Sequence, residues 1–155
     1  MDTEDTKGIR EIEVFTRFAK AATQPIDLGT IEKRKPPQPD ILCTHRDDGP
    51  VAFELAEMCD THLAEFFSTV KDGGAYYMRT ADPIAKIIQK KLRRKYHTKY
   101  PIELLCYTDG RVGTPVSVIL PTIRLQLVSR RGPFRRAWLL SRGVVHHVWP
   151  AEDGG

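Results

Sequence analysis

The segment at residues 51–56 constrains the fold of this chain more than any other, because its side chains alternate in size. The large apolar residues Val51, Phe53 and Leu55 point to one face of a strand. Glu54 points to the other face, with an alanine two positions away on either side. A carboxylate in an apolar strand is costly unless it is paired, protonated or bound to a metal. The segment therefore predicts a strand of a central sheet whose glutamate needs a partner.

The rest of the chain predicts helices and further strands around this segment. We expect helices at residues 9–22, 61–70, 82–96 and 114–129, and strands at residues 26–31, 40–44, 51–58, 102–107, 134–140 and 144–149. Asp82-Pro83 is typical of a helix start, whereas Pro121 is expected to break or kink the last helix. The turn residues 47–50 favour a hairpin. This order predicts an α/β fold in which helices flank a mixed central sheet.

Length and composition indicate a single domain. A chain of 155 residues, 41% hydrophobic and 28% charged, can bury a core without disulfides. The three cysteines form no CxxC pair, which argues against a zinc ribbon and favours reduced, buried side chains. No segment is apolar for long enough to span a membrane, and residues 1–8 are acidic and expected to be a disordered tail. We therefore expect a cytoplasmic protein without a membrane partner.

Charge is strongly segregated along the chain. Residues 1–85 carry 10 Lys and Arg against 16 Asp and Glu, whereas residues 86–142 carry 14 against 2. The basic part would attract a polyanion such as nucleic acid, although a solvated basic surface is the simpler interpretation of this asymmetry alone.

A short motif then connects two of the predicted strands. Pro39-Asp40, thirteen intervening residues and Glu54-Leu55-Ala56 resemble the Pro-Asp…(Asp/Glu)-x-Lys signature of the restriction-endonuclease-like nuclease superfamily. The resemblance implies a nuclease core at residues 9–107 and a peripheral helix and strands at residues 108–150. It also implies that Asp40 and Glu54 hold Mg²⁺ or Mn²⁺, since such cations bind oxygen ligands.

Members of this superfamily often add a glutamate from the first helix. Glu11 falls within the apolar arc of the predicted helix between Phe15 and Phe18, whereas Glu13 points away. Glu11 is therefore the candidate supporting carboxylate. The alternative is a glutamate at a helix start that favours the helix dipole and bends into water.

The lysine of the signature is absent, because position 56 is an alanine. Some superfamily members take this lysine from the following helix, and Lys91 falls on the apolar arc defined there by Ile84, Ile88 and Leu92. Lys91 is therefore the candidate catalytic lysine. The alternative is a side chain whose stem lies along the core while its ammonium group reaches water.

Two basic clusters would hold phosphates without reading sequence. The first cluster lies on the outer face of the same helix and consists of Lys86, Lys90, Arg93 and Arg94. The second lies near the last strands and consists of Arg130, Arg131, Arg135 and Arg136.

Three interpretations remain open from the sequence. The leading one is a metal-dependent endonuclease that hydrolyses phosphodiesters of nucleic acid, with DNA the favoured substrate and a homodimer compatible with the pattern. The second is a degenerate nuclease fold that binds nucleic acid or a protein without cleavage, which Ala56 favours. The third is a chance motif in a structural domain.

Overall fold

Six strands form one mixed sheet in the computed structural model of the protein, which describes residues 3–58, 73–108, 115–130 and 132–150. In chain order they are β1 (Ile26–Lys33), β2 (Ile41–His45), β3 (Gly49–Glu57), β4 (Ile102–Tyr107), β5 (Phe134–Ser141) and β6 (Val144–Trp149). Their order across the sheet is the order in the chain. β4 runs parallel to both of its neighbours, and the other pairs are antiparallel. The predicted α/β fold with a mixed sheet is confirmed.

Helices cover both faces of the sheet. They are α1 (Thr3–Ala21), α2 (Gly73–Arg93) and α3 (Val116–Ser129). α1 packs on one face, and α2 and α3 pack on the other, so that two separate apolar clusters form. No helix of the described ranges is both long and apolar enough to cross a membrane.

The alternation in β3 decides which face each side chain meets. Phe53 packs against Phe15 and Phe18 of α1, with ring centroids 4.8 and 5.7 Å apart. Ala52 and Ala56 instead belong to the apolar cluster that contains the buried residues of α2 and α3. Because Glu54 shares the face of these alanines, its side chain points toward α2.

Two helices begin earlier than the sequence predicts. α1 begins at Thr3, so the expected disordered tail at residues 1–8 is wrong from Thr3 onward. Asp5 lies in the first turn of α1, where a negative charge interacts favourably with the positive end of the helix dipole. The helix predicted at residues 61–70 lies outside the described residues.

α2 begins at Gly73, so Asp82-Pro83 is not its start, and it ends at Arg93, before the predicted end at residue 96. Pro83 lies inside the helix and is itself buried. The apolar line of Ile84, Ile88 and Leu92 is packed in the core, and this burial offsets the hydrogen bond that a proline inside a helix removes. α3 likewise continues through Pro121, which was expected to break or kink it.

The hairpin predicted at residues 47–50 is confirmed. β2 and β3 pair in antiparallel register around Gly49, whose φ of 81° favours glycine. Cys43 and Cys106 are buried and unpaired, as the reduced state predicts, whereas Cys59 lies outside the described residues.

Candidate active site

Asp40 and Glu54 lie side by side where β2 begins. The register of β2 on β3 pairs Ile41 with Phe53, which brings the preceding residue, Asp40, next to Glu54. The backbone N–H of Asp40 donates to Glu54 Oε1 at 3.2 Å, and Asp40 Oδ2 accepts from the backbone N–H of Leu55 at 3.0 Å. The carboxylate of Asp40 thus continues the ladder between the two strands and is held beside Glu54.

The other oxygen of Glu54 faces a group of donors from α2 and the segment after it. Lys91 Nζ lies 2.8 Å from Glu54 Oε2, and an Arg94 guanidinium nitrogen lies 3.1 Å from it. The Tyr96 hydroxyl is 3.3 Å from the same oxygen and 3.1 Å from the carbonyl oxygen of Lys91, and its single proton can serve either. Glu54 is only 1% exposed, so these donors replace the water that an ionised carboxylate would otherwise need.

A third carboxylate reaches the site from α1. Glu11 is 3% exposed, so the interpretation in which it bends into water is wrong. Lys33 Nζ connects it to the pair, at 3.8 Å from Glu11 Oε2 and 3.4 Å from Asp40 Oδ1. Glu11 Oε1 is buried and has no hydrogen-bond partner among the described residues.

The crowding of these carboxylates changes their proton affinities. Burial, reinforced by repulsion from Asp40, raises the pKa of Glu11 from 4.5 to about 7. Burial and the charge of Asp40 also raise the pKa of Glu54, against the opposing effect of Lys91. For Asp40 burial opposes ionisation, but the hydrogen bond from Leu55, the contact with Glu54 and the charges of Lys91 and Lys33 outweigh it and lower the pKa. Near neutral pH, Asp40 is therefore the most firmly ionised of the three.

The carboxylate oxygens of the site are suitable ligands for a hard divalent cation. Carboxylate oxygens are the ligands that Mg²⁺ and Mn²⁺ prefer, and the buried, unpartnered Oε1 of Glu11 is an acceptor without a donor. Across the described ranges, however, no three side chains of His, Cys, Asp or Glu stand close enough together to form a complete metal site. Asp40 and Glu54 could hold a cation whose remaining ligands are water molecules, as is usual for Mg²⁺.

The first predicted basic cluster is split. Lys86, Lys90 and Arg93 are exposed on α2, as expected. Arg94 does not belong to this outer face, because its guanidinium group turns back to Glu54 while its side chain stays 44% exposed. Just beyond α2 the chain leaves the helix, and this exit redirects the side chain.

The second predicted basic cluster is largely engaged in ion pairs. Arg135 contacts the buried Glu103 at 2.8 Å and Asp48 at 3.0 Å, and Arg136 lies 3.5 Å from Glu103. These pairs compete with any phosphate. Arg130 is exposed, and Arg131 lies outside the described residues.

Lys33 and Tyr96 were missed by the sequence analysis. Lys33 falls at the end of β1, where pairing with Ile41 brings it beside Asp40, so only the strand register could have revealed it. Tyr96 follows the end of α2, and its approach to Glu54 depends on how the helix packs. An open cavity of about 830 Å³ adjoins Lys33 and is also lined by Arg34, Lys35 and residues of α1. Lys33 is therefore the residue of the site that this cavity reaches.

Comparisons of the chain with protein-family models, with curated proteins and with solved structures found no match. Function is therefore inferred from the geometry of the site.

Proposed function

We propose that this protein is a metal-dependent phosphodiesterase that cleaves nucleic acid on a restriction-endonuclease-like core. The contact between Lys91 and Glu54 carries the proposal, because it supplies an ammonium group 2.8 Å from one of the two paired carboxylates. The required parts are then together: Asp40 immediately before β2, Glu54 on β3, and a lysine beside them.

The alanine at position 56 has a physical explanation in this proposal. Ala56 is 2% exposed in the apolar cluster under α2, so a lysine there would have to bury its charge in the core. Lys91 approaches the same carboxylate from α2, and its side chain remains 16% exposed. A lysine from the helix therefore provides the cation at a lower cost in desolvation.

Asp40 and Glu54, supported by Glu11, would hold Mg²⁺ or Mn²⁺. When bound, such a cation supplies Lewis-acid polarisation of a phosphoryl oxygen and activation of water. Lys91 then stabilises the negative charge that develops at phosphorus, and it does so from a fixed position because Glu54 orients its ammonium group. The Tyr96 hydroxyl restrains the same oxygen of Glu54.

Exposed cations surround this group and suit a polyanionic substrate. Arg94 is half-exposed beside Glu54, and Lys86, Lys90 and Arg93 lie on the outer surface of α2. Such contacts hold phosphates without reading the base sequence, which favours DNA or another nucleic acid as the substrate class.

One observation favours a second candidate, a nuclease fold that binds nucleic acid without cleaving it. Lys33 and Lys91 already neutralise the carboxylates of the site, and no group of three metal-ligating side chains occurs in the described part of the chain. In a binding module, the lysines would stay paired with the carboxylates, and no metal ion would replace them.

Calorimetric titration with MnCl₂ distinguishes the two candidates. The phosphodiesterase requires saturable binding by the wild type and its loss in the double variant Asp40→Asn, Glu54→Gln. A matched control is Asp48→Asn, which removes a carboxylate from the arginine pairs and should bind normally. Equal heats from the wild type and the double variant would favour the binding module.

A further inference from the structure

A group of basic residues lies at the C-terminal end of α1, outside the candidate active site. Arg17 and Lys20 of α1 and Arg142 from the turn between β5 and β6 line an open cavity of about 590 Å³. Thr108, which follows β4, contributes a hydroxyl to the same wall. Three exposed basic residues from two separate elements therefore line one space.

Within the described ranges, Arg17, Lys20 and Arg142 form no ion pair with a carboxylate, unlike the cations of the candidate active site. Arg10 pairs with Glu57 at 2.8 Å, and Lys33 and Lys91 pair with the carboxylates of the candidate active site. Among the described residues, the carboxylates near the sheet pair with other cations, for example Asp48 and Glu103 with Arg135. Like charges gathered without a counter-charge repel each other, so an anion bound among them would relieve that repulsion.

The backbone conformation at Arg142 independently indicates a functional contact. Ser141 pairs with Val144, so Arg142 and Gly143 form a two-residue hairpin turn, and both have positive φ, 51° and 76°. The first position of such a turn favours Asn, Asp or Gly, and a long side chain there strains the backbone. Strain that persists in a surface turn often accompanies a functional contact. Here the strained residue is the one that brings a guanidinium group to the cavity.

We propose that this cavity binds a phosphate group. Guanidinium groups recognise phosphate oxygens through paired N–H donors, and Arg17 and Arg142 offer two of them around one space. Lys20 adds a point charge, and the Thr108 hydroxyl, which lies 2.9 Å from the Ser141 hydroxyl, adds a polar contact. The volume accommodates a phosphate together with part of the molecule that carries it.

This site shares no residue with the proposed nuclease centre and does not depend on cleavage. α1 nevertheless connects the two, since Arg17 follows Glu11 by six residues, or about 9 Å along the helix axis. The phosphate could belong to a nucleic-acid chain that also reaches the carboxylates, or to a small phosphorylated molecule. The chemistry of recognition is the same for both.

Arg142→Gly is the informative variant, because it removes the guanidinium group and relieves the strained turn at once. Uniformly ¹⁵N-labelled full-length protein is titrated with sodium phosphate against sodium chloride at equal ionic strength, in EDTA. We expect saturable shifts of the amide signals of Gly143 and Thr108 in the wild type. Affinity should fall about tenfold in Arg142→Gly, as expected for the loss of one charged hydrogen-bonding group. The melting temperature should not fall, since glycine suits the turn.

Arg130→Ala is the matched control, because it removes an exposed arginine outside the cavity. It should leave phosphate affinity unchanged. Absence of saturable shifts, or equal weakening by Arg130→Ala and Arg142→Gly, would overturn the proposal in favour of unspecific charge.

A fluorescent single-stranded oligonucleotide then identifies the source of the phosphate. If the cavity holds a chain phosphate, Arg142→Gly weakens oligonucleotide binding and free phosphate competes with it. If only inorganic phosphate binding changes, the ligand is a small phosphorylated molecule. Either result keeps the anion site, and neither depends on the carboxylates being catalytic.

Discussion

Lys91 Nζ lies 2.8 Å from Oε2 of Glu54, although the two residues are 37 positions apart in the chain. The contact joins the C-terminal half of α2 to the middle of β3. It pairs a buried carboxylate with an ammonium group that can still reach the solvent side of the site. A pair in this position bears both on the stability of the fold and on the proposed chemistry.

Lys91→Ala should destabilise the protein even if it has no catalytic role. Among the described side chains, the substitution leaves only Arg94 and Tyr96 as donors to the nearly inaccessible Glu54. We expect the free energy of unfolding to fall by about 1–3 kcal/mol, the usual cost of depriving a buried charged group of a partner. Urea unfolding at pH 7 measures it. Lys90→Ala, one residue away on the exposed surface, should change stability by less than about 0.5 kcal/mol. Equal values for the two variants would mean that the Lys91–Glu54 pair does not form in solution.

Glu11 should make the metal-free protein less stable as the pH rises toward neutrality. Its pKa is about 7 in the folded state and 4.5 ordinarily, so the folded state keeps a proton that the unfolded state loses. The contribution of Glu11 to the free energy of unfolding is fully present below about pH 4.5 and is lost as the pH rises through 7. It amounts to about 3 kcal/mol at most. Denaturant midpoints between pH 4 and 8 in EDTA measure this slope. Glu11→Gln should flatten it, because glutamine does not titrate. An unchanged slope in that variant would show that another group is responsible.

A third buried carboxylate, Glu103, supports the fold on the α1 face. The indole N–H of Trp138 donates to Glu103 Oε1 at 2.7 Å, and Arg135 binds the other oxygen. Trp138→Phe keeps a ring near Phe18 but removes this donor. We expect a loss of about 1–3 kcal/mol in the free energy of unfolding.

Trp149→Phe is the control for that variant, since Trp149 packs at the edge of the other apolar cluster. It should cost less than Trp138→Phe in the same chemical unfolding experiment. A larger loss for Trp149→Phe would indicate that ring packing, rather than the hydrogen bond to Glu103, dominates.

The sequence predicted the strands better than the helices. Alternation around Glu54 and the turn residues before Val51 identified β3 and its hairpin, because a period of two is a strong signal in a short segment. The start of α2 was predicted nine residues late. Asp82-Pro83 has the local chemistry of a helix start, but the helix continues through it, since tertiary packing outweighs local preference.

The candidate site was predicted in part. Asp40 and Glu54 were found because a motif places them on consecutive strands, and Glu11 because it interrupts an apolar arc. Lys33 could not be predicted from the sequence, since its approach to Asp40 depends on the register between β1 and β2. The inward turn of Arg94 depends on where α2 ends, and sequence patterns locate helix ends poorly.

The cleavage assay tests the central proposal most directly. Supercoiled plasmid and single-stranded DNA are incubated with purified protein in MgCl₂ or MnCl₂, with EDTA as the metal-free reference. We predict metal-dependent cleavage by the wild type and its loss in both Asp40→Asn and Lys91→Ala. Lys90→Ala should retain cleavage while binding DNA more weakly and with a smaller dependence on salt. No cleavage of either DNA by the wild type, or cleavage that persists in Asp40→Asn, would contradict the proposal.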